Sequence, residues 1–364
     1  MTLRVLFVAA HPIEGPSTRF RIAQFIPYLE ARGVECDLRP FFTSSEARAI
    51  YLSDRISRKV ALTAWASLRR LGDVARAGRY DLVYILREGF PFGPALIERL
   101  LRRRAGRSVF DFDDSIHLRS SAYDNPLDRL RDFTKPGALA RMADRVVPGS
   151  AWLAARAVEM GVPAERIEVL PTVVDADAYR PSRGPRDVAT VTVGWIGTPR
   201  NTAYLAALAP VFERLSARHP EVRFAFVGSD PFACGAARVE TRPWALDREL
   251  AELQSFDIGL MPLPDDDFTR GKCGFKLIQY MAVGIPTVAS PVGANLDIVE
   301  DGVTGHLART PEEWESALSA LIRDPARRSR MGRAGRQVME ERFSLQVVAP
   351  RLLAVIRAAA AGAT

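Results

Sequence analysis

Three stretches of the chain set small residues beside cations in a way that suits holding an anion. Gly15, Ser17, Thr18 and Arg19 follow the apolar run at 5–10; Gly197, Thr198 and Arg200 follow another at 191–196; Lys272, Lys276 and Gln279 fall within eight residues. A strand that ends in such a loop and opens into a helix offers free backbone N–H groups and a positive dipole end, which is the chemistry of phosphate binding. Gly15 leaves room for a ligand against the backbone, and Ser17 or Thr18 is placed to cap the next helix. The glycines at 194 and 197 do not form the dinucleotide fingerprint, so the phosphate reading there rests on Thr198 and Arg200 at a helix start. Lys276 stands one helical turn before Gln279, on the same face.

Other residue types invite other chemistry. Asp111 and Asp113 form an Asp-x-Asp at a strand end, and Asp265, Asp266 and Asp267 an acidic loop. Paired carboxylate oxygens suit magnesium or manganese, but both clusters read as strand-end and loop features, so no metal ligand is assigned. Trp244 follows a strand end and either flanks an aromatic ligand or belongs to the core. Cys36, Cys234 and Cys273 are widely spaced, with no histidine at zinc-ligand distance, so neither a disulfide framework nor a metal site is expected.

The elements that must position these residues come in two series. Short β-rich runs at 4–9, 35–40, 81–86, 108–113, 145–147 and 167–170 alternate with helix-period stretches, as do runs at 191–196, 222–227, 258–263, 287–290 and 306–308. That alternation predicts parallel α/β units. Ile22, Phe25, Ile26 and Leu29 predict a helix ending near Gly33, a longer helical stretch covers about 45–77, and Leu205, Leu208, Phe212 and Leu215 predict a helix in the second series. From Pro311 onward only helices are expected.

With 364 residues and 48% hydrophobic content the chain can bury two cores. The charged, proline- and glycine-bearing segment 180–186 predicts a linker, hence an amino-terminal domain 1–183, a second domain 184–344, and a terminal helix within 345–364 packing across a domain surface. The net charge of +7 includes arginine clusters at 99–107 and at Arg323, Arg327, Arg328, Arg330, Arg333 and Arg336. These suit a solvated face or an anionic membrane surface; they lack the interleaved aromatics of nucleic-acid binders, so no nucleic acid is expected. No apolar run approaches the roughly 20 residues of a membrane helix or the pattern of a signal peptide, so the expected place is the cytoplasm, at most peripheral to the inner face of the membrane.

The stretch from Asp257 to Asp265, followed by Gly271, Lys272, Gly274, Lys276, Gln279, Gly284, Pro286, Ser290, Pro291 and Gly293, resembles the donor-binding domain of family 4 (group 1) glycosyltransferases. Gly302, Gly305, Trp314, Gly332 and Gly335 continue the resemblance in order, and Gly15 to Tyr28, Phe110 to Asp114, Pro148 to Ser150 and Leu170 to Asp175 resemble the same family more weakly. The resemblance implies an α/β chain of GT-B architecture: two Rossmann-like parallel-sheet domains facing a central cleft. It implies a retaining hexosyltransferase type of enzyme, with a nucleotide-sugar donor bound mainly by the second half and a hydroxyl acceptor by the first. No metal or other cofactor is implied, and the donor's own phosphate oxygen assists the incoming hydroxyl. Polysaccharide or lipid-linked oligosaccharide assembly is the usual setting, and a small-molecule acceptor fits equally.

Residue by residue, the resemblance and the loop chemistry assign donor contacts to Gly15, Ser17, Gly197, Thr198, Arg200, Trp244, Lys272, Lys276 and Gln279. Asp113 takes the reaction-centre place where the family often carries a histidine; Asp114 and His117 cap or line the loop that follows. The chain departs from the family where two glutamates eight positions apart are usual: Gly271 and Gln279 stand there. That departure keeps a second reading open, a non-catalytic sugar-nucleotide-binding partner subunit.

Overall fold

The computed structural model describes residues 2–52, 55–122, 126–182 and 189–362. It divides into two compact units: Met1–Arg119 with Asn125–Val173 and Leu345–Thr364, and Val174–Ser344 with Ser120–Asp124. Residues 174–182 cluster with the second unit, and the boundary expected at 183/184 lies outside the described residues.

The first unit is built on five parallel strands, β1 (Leu3–Ala9), β2 (Val34–Pro40), β3 (Leu82–Leu86), β4 (Ser108–Phe112) and β5 (Arg145–Pro148), in the order β2-β1-β3-β4-β5. Every residue of β3 and β4 is buried, as expected of parallel strands covered on both faces. Val5, Phe7, Tyr84, Val109 and Val147 form a core closed by Val348, Leu352 and Ile356 of the terminal helix Leu345–Ala361. The last stretch of chain therefore belongs to the first unit.

Two local expectations differ. The helix foreseen around Ile22 is broken into Pro16–Arg21, a 3-10 turn Ala23–Phe25 and Ile26–Glu30. Pro27 cannot donate the backbone hydrogen bond that a continuous helix needs, so the chain restarts with proline in the first turn. Residues 167–170 are not a strand. Glu168 and Leu170 donate to the carbonyls of Val146 and Pro148 at 3.0 and 3.1 Å, but only Ile167 forms a bridge, and Pro171 ends the run.

The second unit carries six parallel strands, β6 (Val191–Ile196), β7 (Val222–Val227), β8 (Val239–Arg242), β9 (Ile258–Met261), β10 (Thr287–Ala289) and β11 (Gly305–Leu307), in the order β11-β10-β9-β6-β7-β8. β8, an exposed edge strand of charged and polar residues, gave no apolar signal in the sequence. Pro210 splits the helix foreseen around Leu208 into Thr202–Ala206 and Ala209–Arg218, yet Leu205, Leu208, Phe212 and Leu215 all reach the core. From Pro311 the chain is helical, in Pro311–Arg323, Pro325–Arg342 and Leu345–Ala361. Arg328 donates to the carbonyls of Leu321 and Ile322 at 2.6 and 2.8 Å, and Arg336 to those of Ala282 and Ala176 at 2.6 and 2.8 Å. Part of the second arginine cluster thus caps helices and pins the 176–179 segment. It is not a solvated face there.

Candidate functional site

Each sheet has a point where successive connections turn in opposite directions, between β1 and β3 in the first unit and between β6 and β9 in the second. A crevice forms outside the carboxyl ends of the strands at such points. The residues singled out in the sequence gather around both.

In the first unit, Ser17 donates to Asp113 at 2.7 Å and the Arg87 guanidinium donates to the other oxygen of Asp113 at 2.5 Å. Arg87, immediately past β3, has φ 58°, the left-handed region that costs a non-glycine residue energy and that gathers at functional sites. Burial alone would push Asp113 up, but Arg87, Arg21 and Ser17 outweigh it and hold its carboxyl below its ordinary value. Asp111 is bound elsewhere: it accepts from Arg21 at 2.5 Å and from the Tyr84 hydroxyl, all three fully buried. Burial pushes Asp111 up to about 6 against the pull of Arg21.

The expected capping roles fall differently. The cap of Pro16–Arg21 is Gly15, with no side-chain bond. Ser17 is spent on Asp113, and Thr18 donates to the His11 carbonyl at 2.7 Å. A Cβ at Gly15 would lie 2.9 Å from that of His11, so the glycine serves the loop's own packing. Asp114 accepts from the backbone N–H of Ser115 at 3.0 Å, and the His117 ring stacks with Trp152 at 6.3 Å.

In the second unit, β6 and β9 pair through Val193 and Gly194 and then part. The Tyr280 hydroxyl spans the gap, accepting from the Ile196 N–H and donating to the Leu260 carbonyl, each at 3.2 Å. Tyr280 lies on the helix Phe275–Ala282, which also carries Lys276 and Gln279. The Lys276 ammonium sits 5.4 Å over the ring of Trp195, a buried residue of β6. That ring explains Gly197: a Cβ there would come within 2.2 Å of it. A Cβ at Gly228, whose φ is +76°, would in turn lie 2.3 Å from the Gly197 carbonyl and 3.2 Å from Cβ of Trp244. The loops after β6, β7 and β8 are thus packed backbone against backbone.

Trp244 and Gln279 meet on a residue that the sequence did not single out. Glu249, 5% exposed at the start of the helix Glu249–Gln254, accepts from Trp244 Nε1 at 2.9 Å on one oxygen. Its other oxygen accepts from Gln279 Nε2 at 3.1 Å and from the Tyr179 hydroxyl at 2.6 Å. Gly197, Trp244, Lys276 and Gln279 are therefore one connected group. Thr198 and Arg200 lie on an exposed 3-10 turn beside it. The Lys272 ammonium sits 4.8 Å over the Phe268 ring. The acidic loop is accounted for by structure: Asp266 caps the helix Asp267–Arg270, and Asp265 and Asp267 pair with Arg270 at 2.7 and 3.1 Å. Among the described residues no three His, Cys, Asp or Glu side chains stand together as metal ligands.

Arg21, Arg87 and Glu249 are the charged residues of these clusters that the sequence reading passed over. Arg21 did leave a signal, since helical spacing from Ser17 and Phe25 puts it on the buried face. Arg87 and Glu249 left none, because a left-handed φ and a contact across 30 residues are not local properties.

Comparison with known proteins bears on what these clusters serve. The family model described as "Glycosyl transferases group 1" matches residues 190–324, and "Glycosyltransferase Family 4" matches residues 21–178. The D-inositol 3-phosphate glycosyltransferase of Nocardia farcinica is 29% identical over 221 residues, covering 52% of this chain and 47% of that protein. The sulfoquinovosyl transferase SQD2 of Arabidopsis thaliana is 26% identical, over 56% of this chain and 42% of its own length. The chain spans about half the length of the curated relatives it matches. Among solved structures, the Anabaena protein Alr3699/HepE in complex with UDP and glucose superposes with a TM-score of 0.68 at 16% identity, over 98% of this chain and 99% of that one. Sucrose-phosphate synthase from Thermosynechococcus elongatus gives 0.71 at 16%, over 98% of both. These likenesses carry the fold: two Rossmann-like parallel-sheet domains of GT-B type.

Proposed function

Because the chain belongs to the group 1, family 4 glycosyltransferases, we propose that it moves a sugar, with retention of configuration, from a nucleotide-sugar donor to a hydroxyl-bearing acceptor. The observation that carries this reading is the connected group at the β6/β9 switch point. Lys276 over Trp195 supplies a placed positive charge for the departing diphosphate, Gln279 an amide for the ribose, and Trp244 an aromatic edge for the base. Thr198, Arg200 and the backbone at Gly197 complete the phosphate side, and Lys272 contributes charge at longer range. Several of the matched structures contain UDP or UDP-glucose, which makes UDP-sugars the first donors to try.

In the first unit, Asp113 takes the reaction-centre role, with Gly15 and Ser17 at the start of the helix Pro16–Arg21. A carboxylate held below its ordinary value by Arg87 and Ser17 is a weak base. It therefore orients a hydroxyl by accepting its hydrogen bond. Proton removal falls to the donor's phosphate oxygen, the retaining chemistry the family resemblance implies. Metal independence is part of the reading, supported by the engagement of Asp111 and Asp113 with Arg21, Tyr84, Arg87 and Ser17. The acceptor is a glycan, lipid-linked oligosaccharide or small molecule. The work is placed in the cytoplasm at an anionic membrane surface. Among the described residues no helix is long and apolar enough to cross one.

One observation favours the second reading, a non-catalytic sugar-nucleotide-binding partner. Gly271, buried and without a side chain, stands where the resemblance calls for a carboxylate on the donor sugar. A panel of UDP-, GDP- and dTDP-sugars separates the two. Thermal stabilisation by one donor with saturable donor turnover is expected, undiminished in excess chelator. Stabilisation without any turnover would favour the partner subunit. Loss of turnover in chelator with recovery in manganese would reassign Asp111 and Asp113 as metal ligands.

A further inference from the structure

The buried carboxylate of Glu249 decides which way the Gln279 amide points. A carboxylate only accepts hydrogen bonds, so the group facing it across 3.1 Å must be the amide NH₂ of Gln279, and the amide oxygen must point away. The free end of Gln279 is thereby fixed as an acceptor, the capacity that a pair of ribose hydroxyls requires. The same carboxylate holds the Trp244 indole through its second oxygen and the Tyr179 hydroxyl through its first, so one charge fixes the ring on one side and the amide on the other.

Resting on the donor-site reading above, we propose that Glu249 is the positioning residue of that site. It carries, one residue back from the ligand, the negative charge that the family resemblance implies at the position of Gln279. The pair divides a single function: Gln279 supplies the acceptor atom and Glu249 supplies the charge and the orientation. Gln279→Glu, which the family pattern alone would call a restoration, has the opposite effect here. It sets two carboxylates about as close as the present bond, both buried, with repulsion in place of attraction. Exchanging both residues, Glu249→Gln with Gln279→Glu, returns one carboxylate and one amide to the pair in reversed places. The amide of the new glutamine then donates forward to the carboxylate.

The experiment is a double-mutant cycle on nucleotide affinity. Titration calorimetry with UDP, GDP and dTDP identifies the diphosphate that the wild-type chain binds. The same ligand and its 2′-deoxy or 2′-hydroxy counterpart are then titrated into Gln279→Glu, Glu249→Gln and the double variant. Each single variant should bind at least about tenfold more weakly, and the double variant should recover most of the loss. Glu249→Gln should also lose preference between ribose and deoxyribose, because its amide no longer dictates which end of Gln279 faces the sugar. A purely structural role would lower thermal stability without changing that preference. Should Glu249→Gln alone fail to fold, the comparison of Gln279→Glu with the double variant still decides. If the wild type binds none of the three diphosphates, the donor-site reading falls and this inference with it. If the wild type binds but Gln279→Glu binds equally well, or the double variant is no better than Gln279→Glu, the donor site stands and the positioning role is overturned.

Discussion

A guanidinium and a hydroxyl sharing one carboxylate make a fixed acceptor at Asp113. Asp113→Asn keeps the shape but removes the charge and half of the acceptor capacity, so turnover should fall by about 10- to 100-fold, as expected for a misplaced reactant, with donor affinity unchanged. A fall in donor affinity with turnover intact would move Asp113 out of the reaction centre. The charge also has a pH signature. Because the folded-state value lies below the ordinary 3.8, the stabilisation is fully present above pH 3.8 and is lost as pH falls through the folded value. The stability difference between wild type and Asp113→Asn, followed by urea unfolding, should therefore close in that acid range and stay constant above it. In the second unit, Lys276→Ala should weaken nucleoside-diphosphate binding by about 1.5–3 kcal/mol, the range for a charge-assisted bond. Arg200→Ala, at an exposed turn, should cost less than about 1 kcal/mol. Equal losses for both would mean that the Trp195 seat of Lys276 gives it no advantage.

The strand-end loops set a stricter condition than their side chains suggest. Gly197→Ala would drive a methyl group into the Trp195 ring, 2.2 Å away, and displace the surface on which Lys276 rests. The expected cost is about 1–3 kcal/mol of stability, read by urea unfolding, together with weaker diphosphate binding. Gly33→Ala, with φ +83° and nothing within 4 Å, isolates the backbone part of such a cost and should leave binding unchanged. This is also where sequence and structure part company. Buried parallel strands such as β3 and β4 are legible because their apolar runs need no partner to be recognised. β8 is not, because an exposed edge strand of Glu240, Thr241 and Arg242 carries no such run. In the sequence Gly15 reads as room for a ligand and Gly197 as part of a phosphate-binding loop, whereas at both the space is taken by the protein itself, His11 and Trp195. Lys276 and Gln279 were legible from helical spacing on one element. Glu249 was not, since its partners Tyr179, Trp244 and Gln279 come from three separate stretches of chain.

At the scale of the whole chain, the excess positive charge has an uneven structural meaning. The arginines near 328–336 are partly spent on helix carbonyls, whereas Arg99, Arg103 and Arg104 on the helix Leu96–Ala105 are exposed, beside exposed Leu96 and Leu100. Arg99, Arg102 and Arg103 line an open recess with Gly106 and Met142, which gathers positive charge on this surface. The helix Ile56–Arg76 packs beside this one and leaves Ile56, Val60, Trp65, Leu68 and Leu71 in the open. At about 100° per residue, Ile56, Val60, Leu68 and Leu71 share an arc of about 120°, with Trp65 about 60° and Arg58 and Arg76 about 80° past its edge. Its one acid, Asp73, is buried against Arg70. An apolar face rimmed by cations and a tryptophan matches the boundary layer of an anionic bilayer, which offers an apolar phase and negative charge together. The chain should therefore float with phosphatidylglycerol vesicles and not with phosphatidylcholine ones, and release as salt rises. Trp65→Glu with Leu68→Glu should abolish flotation. Arg99→Glu with Arg103→Glu should weaken it by about 1 kcal/mol or more for each charge removed. Flotation of the double glutamate variant at the wild-type level, or no flotation of the wild type on anionic vesicles at low salt, would return this face to solvent.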